Sequence, residues 1–337
     1  MKTLSHEDAV SALEQCGGIQ HDAAGLLGVT RGQFRWALNN PPEKNLSEME
    51  LAEIPEAEIP VDELVEQRKR QFTRRKQYEE ARKLVAVKVK IDGPVGILHF
   101  GDPHVDDDGC DLVALEKHMD LTRNTEGLVA GNIGDTTNNW VGRLARLYGE
   151  QSTSTSQAWQ LAEWFIHGVD WLYIMAGNHD LWSGSGDPIK WMAKYAGQPY
   201  APTELRLGLK FPRGDDVRVN IRHDFSGNSI WNPAHGPSKA LQMGARDHIA
   251  ICGHKHKSGY AVLKDANDGL VMHAIQVGSY KVYDRFAMEK GFRDQHLGPS
   301  VVTTIDPEKP DSHPDKVKVW WDAEQGADYL TWMRSRQ

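Results

Sequence analysis

The stretch VGILHFGDPH (95–104) is an apolar run that stops in a glycine, an aspartate and a histidine, and four further stretches repeat that design. LVAGNIGD (128–135) ends in Gly134-Asp135, and WLYIMAGNHD (171–180) ends in Gly177-Asn178-His179-Asp180. VRVNIRH (217–223) ends in His223, and HIAICGHKH (248–256) ends in Gly253-His254-Lys255-His256. Short apolar runs closed by turn residues read as buried β-strands. Longer amphipathic segments separate them, which is the alternation of an α/β domain. Each predicted strand delivers oxygen or imidazole groups at its carboxyl end, where open α/β sheets gather their ligands. Further on, AIQVGSY (274–280) and residues 317–321 predict two more strands, and residues 328–334 a short terminal helix.

The groups so delivered are Asp102, His104, Asp135, Asn178, His223, His254 and His256. They mix oxygen and imidazole and include no cysteine. Such a set suits manganese, iron or zinc, whereas calcium and magnesium prefer oxygen alone. Seven donors exceed what one catalytic ion takes from protein and suit two neighbouring ions that share a carboxylate.

In their order and in the strand before each, D-P-H (102–104), G-D (134–135), G-N-H-D (177–180), His223 and G-H-K-H (253–256) resemble the calcineurin-like metallophosphoesterase superfamily, over about residues 91–260. The resemblance implies a two-sheet β-sandwich flanked by helices. It implies that Asp102, His104 and His256 hold one metal, that Asn178, His223 and His254 hold the other, and that Asp135 bridges them. Two divalent ions are the implied cofactor, manganese first, with iron or zinc as alternatives. Water activated between the ions attacks phosphorus. His179 is implied to give a proton to the leaving oxygen or to stabilise the charged transition state, and Asp180 to orient His179 and keep it protonated. The chain departs from the protein phosphatases of the superfamily after the second motif. There it has Thr136, Thr137, Asn138 and Asn139, with no arginine before Arg143. Without that cationic clamp a phosphomonoester loses a partner, which favours phosphodiesters. Asn138 or Asn139 is expected to touch a phosphate oxygen or to support His179.

The first forty residues read as a separate all-α unit. Helix one covers about His6–Cys16 with Val10 and Leu13 on its face; HDAAGLLG (21–28) forms a second helix; Thr30 caps a third, RGQFRWALNN (31–40). The segment resembles a helix-turn-helix of the bacterial regulator type, which would turn Arg31, Gln33 and Arg35 toward DNA; a helical protein-docking module is the alternative. Residues 41–60 hold six Glu, one Lys and four Pro and read as an acidic linker. Residues 61–90 hold ten Lys or Arg against five acids and predict a basic helix to about Leu84, packing through Leu64, Phe72 and Tyr78 or touching nucleic acid. The expected domains are thus 1–40, a linker and helix over 41–90, and the metallophosphoesterase domain over 91–337.

Composition bounds the rest. The chain has 337 residues, a net charge of −8 and three cysteines, and no run long enough to span a bilayer. No secretory signal opens it, so a reducing cytoplasm without membrane contact is expected. The acidic balance excludes a surface that grips nucleic acid everywhere, but not a local basic patch. The combination resembles phage or prophage phosphoesterases and, more distantly, nucleases of the SbcD type. The expected function is a manganese-dependent DNA nuclease docked through its N-terminal unit to DNA, to a protein partner or to a second copy. A phosphodiesterase for cyclic or dinucleotides and a non-catalytic DNA-binding scaffold are the alternatives. Of the remaining groups, His99, His118, His167, His248 and His273 read as ordinary hydrogen-bonded histidines, and His235 as an alternative to His223. Asp106, Asp107 and Asp108 read as a solvated loop. Trp140, Trp182 and Trp191 read as core or as stacking platforms.

Overall fold

The computed structural model describes residues 4–42, 58–182, 186–283, 291 and 296–336; most of the acidic linker, residues 43–57, lies outside them. The chain divides into two compact units, Met1–Lys69 and Arg70–Gln337.

In the first unit, three short helices, α1 (His6–Gln15), α2 (Gln20–Leu26) and α3 (Arg31–Asn39), close on Ala9, Ala12, Ala23, Ala24, Phe34 and Ala37. The face expected at Val10 and Leu13 is thus centred one residue earlier. Alanines let the short helices approach closely, and the two larger side chains are left half-buried. Thr30 and Gln33 form a reciprocal capping box at the start of α3. The Gln33 side chain is therefore engaged with its own helix end, while Arg31 and Arg35 are exposed.

Helix α4 (Val61–Arg82) buries none of its residues. The expected anchors stay in solvent: Leu64, Phe72 and Tyr78 are 46%, 70% and 49% exposed. Ion pairs one helical turn apart, such as Lys69–Glu66, Arg75–Glu79 and Lys83–Glu80, support it instead.

The second unit holds two six-stranded sheets. The first sheet has the order β1 (Val85–Lys88), β6 (Glu204–Lys210), β7 (Val217–Arg222), β8 (Ile249–Cys252), β10 (Val271–Gln276), β9 (Gly259–Lys264). The second has the order β12 (Val317–Trp320), β11 (Ser300–Ile305), β2 (Val95–Phe100), β3 (Leu128–Asn132), β4 (Trp171–Met175), β5 (Tyr200–Ala201). Strand β1 corrects the sequence reading, which left 85–90 with the linker and basic helix. Its Val85 and Val87 alternate with Ala86 and Lys88, and it pairs in parallel with β6 as an edge strand.

The sheets face each other across Ile97, Ile133, Tyr173, Val219, Ile221, Ile251 and Ile275, all fully buried. At about 1.5–3 kcal/mol per buried aliphatic side chain, this layer outweighs any single polar contact described below. Helices α5 (Leu112–Asn124), α6 (Thr155–Gly168), α8 (Pro188–Tyr195) and α10 (Ala323–Arg334) cover the outside of the second sheet. Helix α9 (His235–Met243) packs on β8 and β10 of the first through Leu241. A one-turn helix, α7 (Asn178–Leu181), follows β4. No described helix is long and apolar enough to cross a membrane. Because β2, β3 and β4 run parallel, and β7 and β8 do too, the carboxyl ends of all five motif strands fall along one rim of the sandwich.

Candidate metal centre

Asp102 follows β2, Asp135 follows β3, Asn178 opens α7, His223 follows β7, and His254 and His256 follow β8. Three trios place one donor atom each within 4.8 Å of the others: Asp102 with His104 and His256, His104 with Asp135 and His179, and Asp135 with His223 and His254. Asn178 joins the last trio, its Oδ1 lying 3.0 Å from Nε2 of His223. The structure thus brings together all seven expected donors, with Asp135 common to two of the trios.

The loops that do this are strained and specifically supported. His104, Asp135, His254 and His256 all have positive φ, between 42° and 70°, a region side chains other than glycine seldom enter. The Asp135 turn is shaped by Asn132, whose Oδ1 accepts from the Gly134 amide and whose Nδ2 donates to Thr136 Oγ1. Two motif glycines are required by close approach. A Cβ on Gly177 would stand 2.0 Å from Asp135 Oδ1, and one on Gly253 would stand 2.3 Å from Asp102 Oδ1. The carboxylates pass where side chains would be, which explains the glycines in G-N-H-D and G-H-K-H.

The electrostatics suit cations. Burial, together with the neighbouring His256 and His179 rings, holds His104 well below the usual imidazole range, so it stays neutral and able to ligate. Its Nδ1 and Asp102 Oδ1 are buried without a hydrogen-bond partner. Nε2 of His104 lies 3.2 Å from Nε2 of His256, which is itself 3.3 Å from Asp102 Oδ2. His223 donates from Nδ1 to the Ile133 carbonyl at 3.1 Å, and this aims Nε2 at Asp135 Oδ2, also at 3.1 Å. Burial disfavours charge on His223, yet Asp135 and Asp102 raise its pKa to about 10. Burial likewise opposes the Asp135 anion, but His223 outweighs it and holds the carboxyl below the ordinary range. His223 and Asp135 would hold a cation in place of the proton they now share. Unpartnered buried atoms on Asp102 and His104, the neutral imidazole of His104 and two carboxylates fit a pair of divalent ions.

His179 stands over this cluster with Nε2 3.9 Å from Asp135 Oδ2. Its Nδ1 donates to the Asn138 carbonyl at 2.6 Å, and its backbone carbonyl accepts from Asn139 Nδ2 at 2.7 Å. Both asparagines therefore support His179. Trp182 lies against the ring at a centroid distance of 4.0 Å, and Trp140 meets it edge-on at 5.3 Å. Trp191 is exposed and stacks under Lys194.

Two expectations are corrected. Asp180 makes no hydrogen bond to His179. Its Oδ1 accepts from the Thr136 amide at 3.0 Å and its Oδ2 from the Gly177 amide at 2.8 Å, so the buried carboxylate braces the two turns that carry Asp135 and Asn178. Burial, with Asp135 nearby, raises its pKa to about 7. Nor is the 106–108 run solvated throughout, although Asp108 is exposed. Asp106 is buried and accepts from the Asn138 amide at 2.7 Å; Asp107 accepts from Asn138 Nδ2 and Lys281 Nζ; Asp108 accepts from the Ser152 amide. The run anchors the loop that presents Asn138 to His179.

The bland readings of other histidines stand on visible partners. His99 sits between Tyr173 Oη and Thr303 Oγ1, His118 against Tyr280 Oη, His273 against Tyr260 Oη and His248 against Asp311. His235 is the first residue of α9 and belongs to none of the three trios. Two lysines were missed. Lys255, between two ligands, clamps the 224–227 loop through Asp224 and the Gly227 carbonyl; Lys281 lies over Trp140 beside Asp107. Lys255 sits inside the motif and could have been suspected, whereas nothing local to Lys281 marks it.

No protein-family model and no curated protein matches the chain. Among solved structures it is similar to a conserved Streptococcus pneumoniae protein described as a predicted phosphoesterase (13% identity, 69% of this chain and 100% of that one, TM-score 0.31). It is also similar to the calcineurin-like phosphoesterase YfkN of Bacillus subtilis (12% identity, 72% of this chain and 97% of that one, TM-score 0.37). A third is the NAD nucleotidase of Haemophilus influenzae (10% identity, 67% of this chain, TM-score 0.37), of which the chain spans 49%. Within this chain the five motifs stand at strand ends and bring two carboxylates, four imidazoles and one amide of the expected donors together.

Proposed function

We propose that the protein is a two-metal phosphoesterase that hydrolyses phosphodiester bonds in DNA. The observation that carries the chemistry is the convergence of seven donors from five strand ends on one rim, with His179 held over them. Asp102, His104 and His256 would hold one ion, Asn178, His223 and His254 the other, and Asp135 would face both. When bound, such a pair supplies Lewis acidity and lowers the pKa of water toward neutrality; manganese suits the donor set, as do iron and zinc. The chain's own contribution is positional. The Asn138 carbonyl fixes the Nδ1 proton of His179, so Nε2 is the atom that delivers a proton to the leaving oxygen. Burial lowers the pKa of His179, which makes its protonated form a stronger acid. Asp180, Asn139 and Asp106 keep the surrounding turns in place.

DNA as substrate is supported by three features. The second motif lacks an adjacent arginine for a doubly charged monoester. The exposed α4 carries Arg68, Lys69, Arg70, Arg74, Arg75 and Lys76. The three-helix unit exposes Arg31 and Arg35 on α3, the helix a helix-turn-helix would set in a groove. The test is a panel in manganese of linear, circular and single-stranded DNA, RNA, a cyclic nucleotide, and a chromogenic diester and monoester. The expected result is cleavage of DNA and the diester, abolished by Asp135→Asn. Arg31→Ala with Arg35→Ala should weaken DNA association and its salt dependence while sparing the small diester. Turnover of the monoester alone overturns the diester reading. Turnover of the cyclic nucleotide without DNA cleavage transfers the site to small molecules. DNA binding with no hydrolysis in any metal leaves a scaffold.

A further inference from the structure

Behind the metal centre, on the outer face of the first sheet, a cavity of about 620 Å³ opens between β6, β7, α9 and the last turn of α4. Its wall carries Arg82, Lys83, Arg206, Arg222 and Lys239 against the carboxylates of Glu79 and Glu204. Several of these cations have structural duties. Arg206 grips the buried Asp247 with two hydrogen bonds of 2.9 Å, and Arg82 donates to the Glu204 carbonyl. Three groups are left over. Lys239 is exposed and has no ion-pair partner among the described residues. Arg222 pairs with Glu204 through Nη2 at 2.7 Å, but its Nε is buried with no hydrogen-bond partner. Asn220, 6% exposed, lines the cavity with Oδ1 likewise unpartnered.

An unmade hydrogen bond on a buried polar group costs about 1–3 kcal/mol, so orphaned groups around a space of ligand size point to a ligand. What they ask for is specific. Arg222 Nε needs an acceptor, best an anionic oxygen with the exposed Lys239 ammonium beside it, and Asn220 Oδ1 needs a donor. A phosphate attached to a sugar or base offers both, and the volume falls in the range of small-molecule sites. Alternation along β7 puts Val219 and Ile221 in the core between the sheets and Asn220 and Arg222 on the opposite face, so this space is separate from the centre that His223 joins. We propose that the cavity binds the phosphate and sugar of a nucleotide, taken either as a free mononucleotide or as one unit of a nucleic-acid strand.

The experiment uses the full chain in a metal chelator, so that nothing is hydrolysed. Binding of inorganic phosphate, of adenosine monophosphate and of a fluorescent single-stranded 12-mer is measured for the native protein, Lys239→Gln and Asn220→Asp, with melting curves to establish that each variant is folded. Loss of one charge-assisted hydrogen bond should weaken binding about 10- to 100-fold. Asn220→Asp keeps an acceptor for the sugar but adds a negative charge beside the phosphate that Arg222 and Lys239 would hold, and the repulsion should do the same. In manganese, Lys239→Gln should hydrolyse the chromogenic diester at the native rate. Mononucleotide binding lost in both variants identifies a free nucleotide. Loss seen only with the 12-mer identifies a strand. Absence of binding by all three probes, or binding unchanged in folded variants, overturns the proposal whether or not the metal centre is an active phosphodiesterase.

Discussion

Gly177→Ala tests the claim that the metal centre depends on backbone clearance as much as on its ligands. The added Cβ would lie 2.0 Å from Asp135 Oδ1, 2.2 Å from the Asp135 amide nitrogen and 2.6 Å from its Cγ. Carbon and oxygen approach to roughly 3 Å at the closest, so something must move by about 1 Å. The Asp135 side chain cannot absorb this alone, because its own backbone nitrogen is one of the obstructed atoms. That nitrogen lies in a turn held by Asn132 and braced by Asp180. Overpacking of this kind costs about 1–3 kcal/mol of stability, which a domain of this size survives. Metal sites tolerate only about 0.2 Å in ligand distance, and a 1 Å misplacement costs about 10²-fold in rate.

The expected variant is therefore folded, with metal affinity lost and turnover of a chromogenic diester at least about 10²-fold lower. Manganese content after dialysis, melting temperature and steady-state rates measure the three quantities. Gly149→Ala is the control, since a Cβ there meets nothing within 4 Å. A Gly177→Ala protein that keeps two manganese ions per chain and a rate within threefold of native would refute the reasoning.

His179→Ala should retain both ions and slow turnover by about 10²–10⁴-fold, the range for a positioned acid; an unchanged rate at full metal content removes His179 from the chemistry. Asp106 has its pKa raised by burial to about 6, so the stability it contributes is present below pH 3.8 and is lost as pH rises through 6. Asp106→Asn should therefore gain about 2–3 kcal/mol on the native protein between pH 4 and pH 7, measured by denaturant unfolding without metal; a constant difference disproves it. His99 has its pKa lowered by burial to about 3, so its contribution is present above pH 6.5 and is lost as pH falls toward 3. Between pH 7 and pH 5 the native protein should lose about 2 kcal/mol more than His99→Gln, and equal losses would show that His99 is not held neutral.

The sandwich and the convergence of the donor groups on one rim were legible because the decisive signals are local. An apolar run fixes a strand, and the two to four residues after it fix what the strand end presents. What was illegible depends on partners distant in sequence. Asp106 looks like one of three solvated acids until the Asn138 amide, 32 residues on, is found against it. Asp180 sits next to His179 in sequence, yet the helical turn of α7 directs it to the amides of Gly177 and Thr136. Lys281 reaches Asp107 only because residues after β10 run alongside the first motif, where Ser279 bridges Asp102. Strand β1 was hidden because it is short and follows a long charged helix.

The strain at the rim says what the sheets are for. Among the described residues, the only non-glycine positions with positive φ are His104, Asp135, Asn139, His254 and His256. Four are proposed ligands, and the fifth holds the carbonyl of His179. At about 1–2 kcal/mol for each such residue, the cost is on the order of 5–10 kcal/mol, comparable to the net stability of a whole domain. Such conformations persist only where neighbours over-determine them. Here the His104 amide donates to the Asp135 carbonyl at 3.0 Å and the His254 amide to Asp102 Oδ2 at 2.6 Å, so three of the four strained ligands are tied to another ligand. The inter-sheet layer provides the excess stability, and the rim converts it into seven donors held at fixed places before any cation arrives. Preorganisation of this kind accounts for the placement of ligands on strand ends: a flexible loop could carry the same residues, but it would lose on binding the entropy that the folded strand ends have already given up.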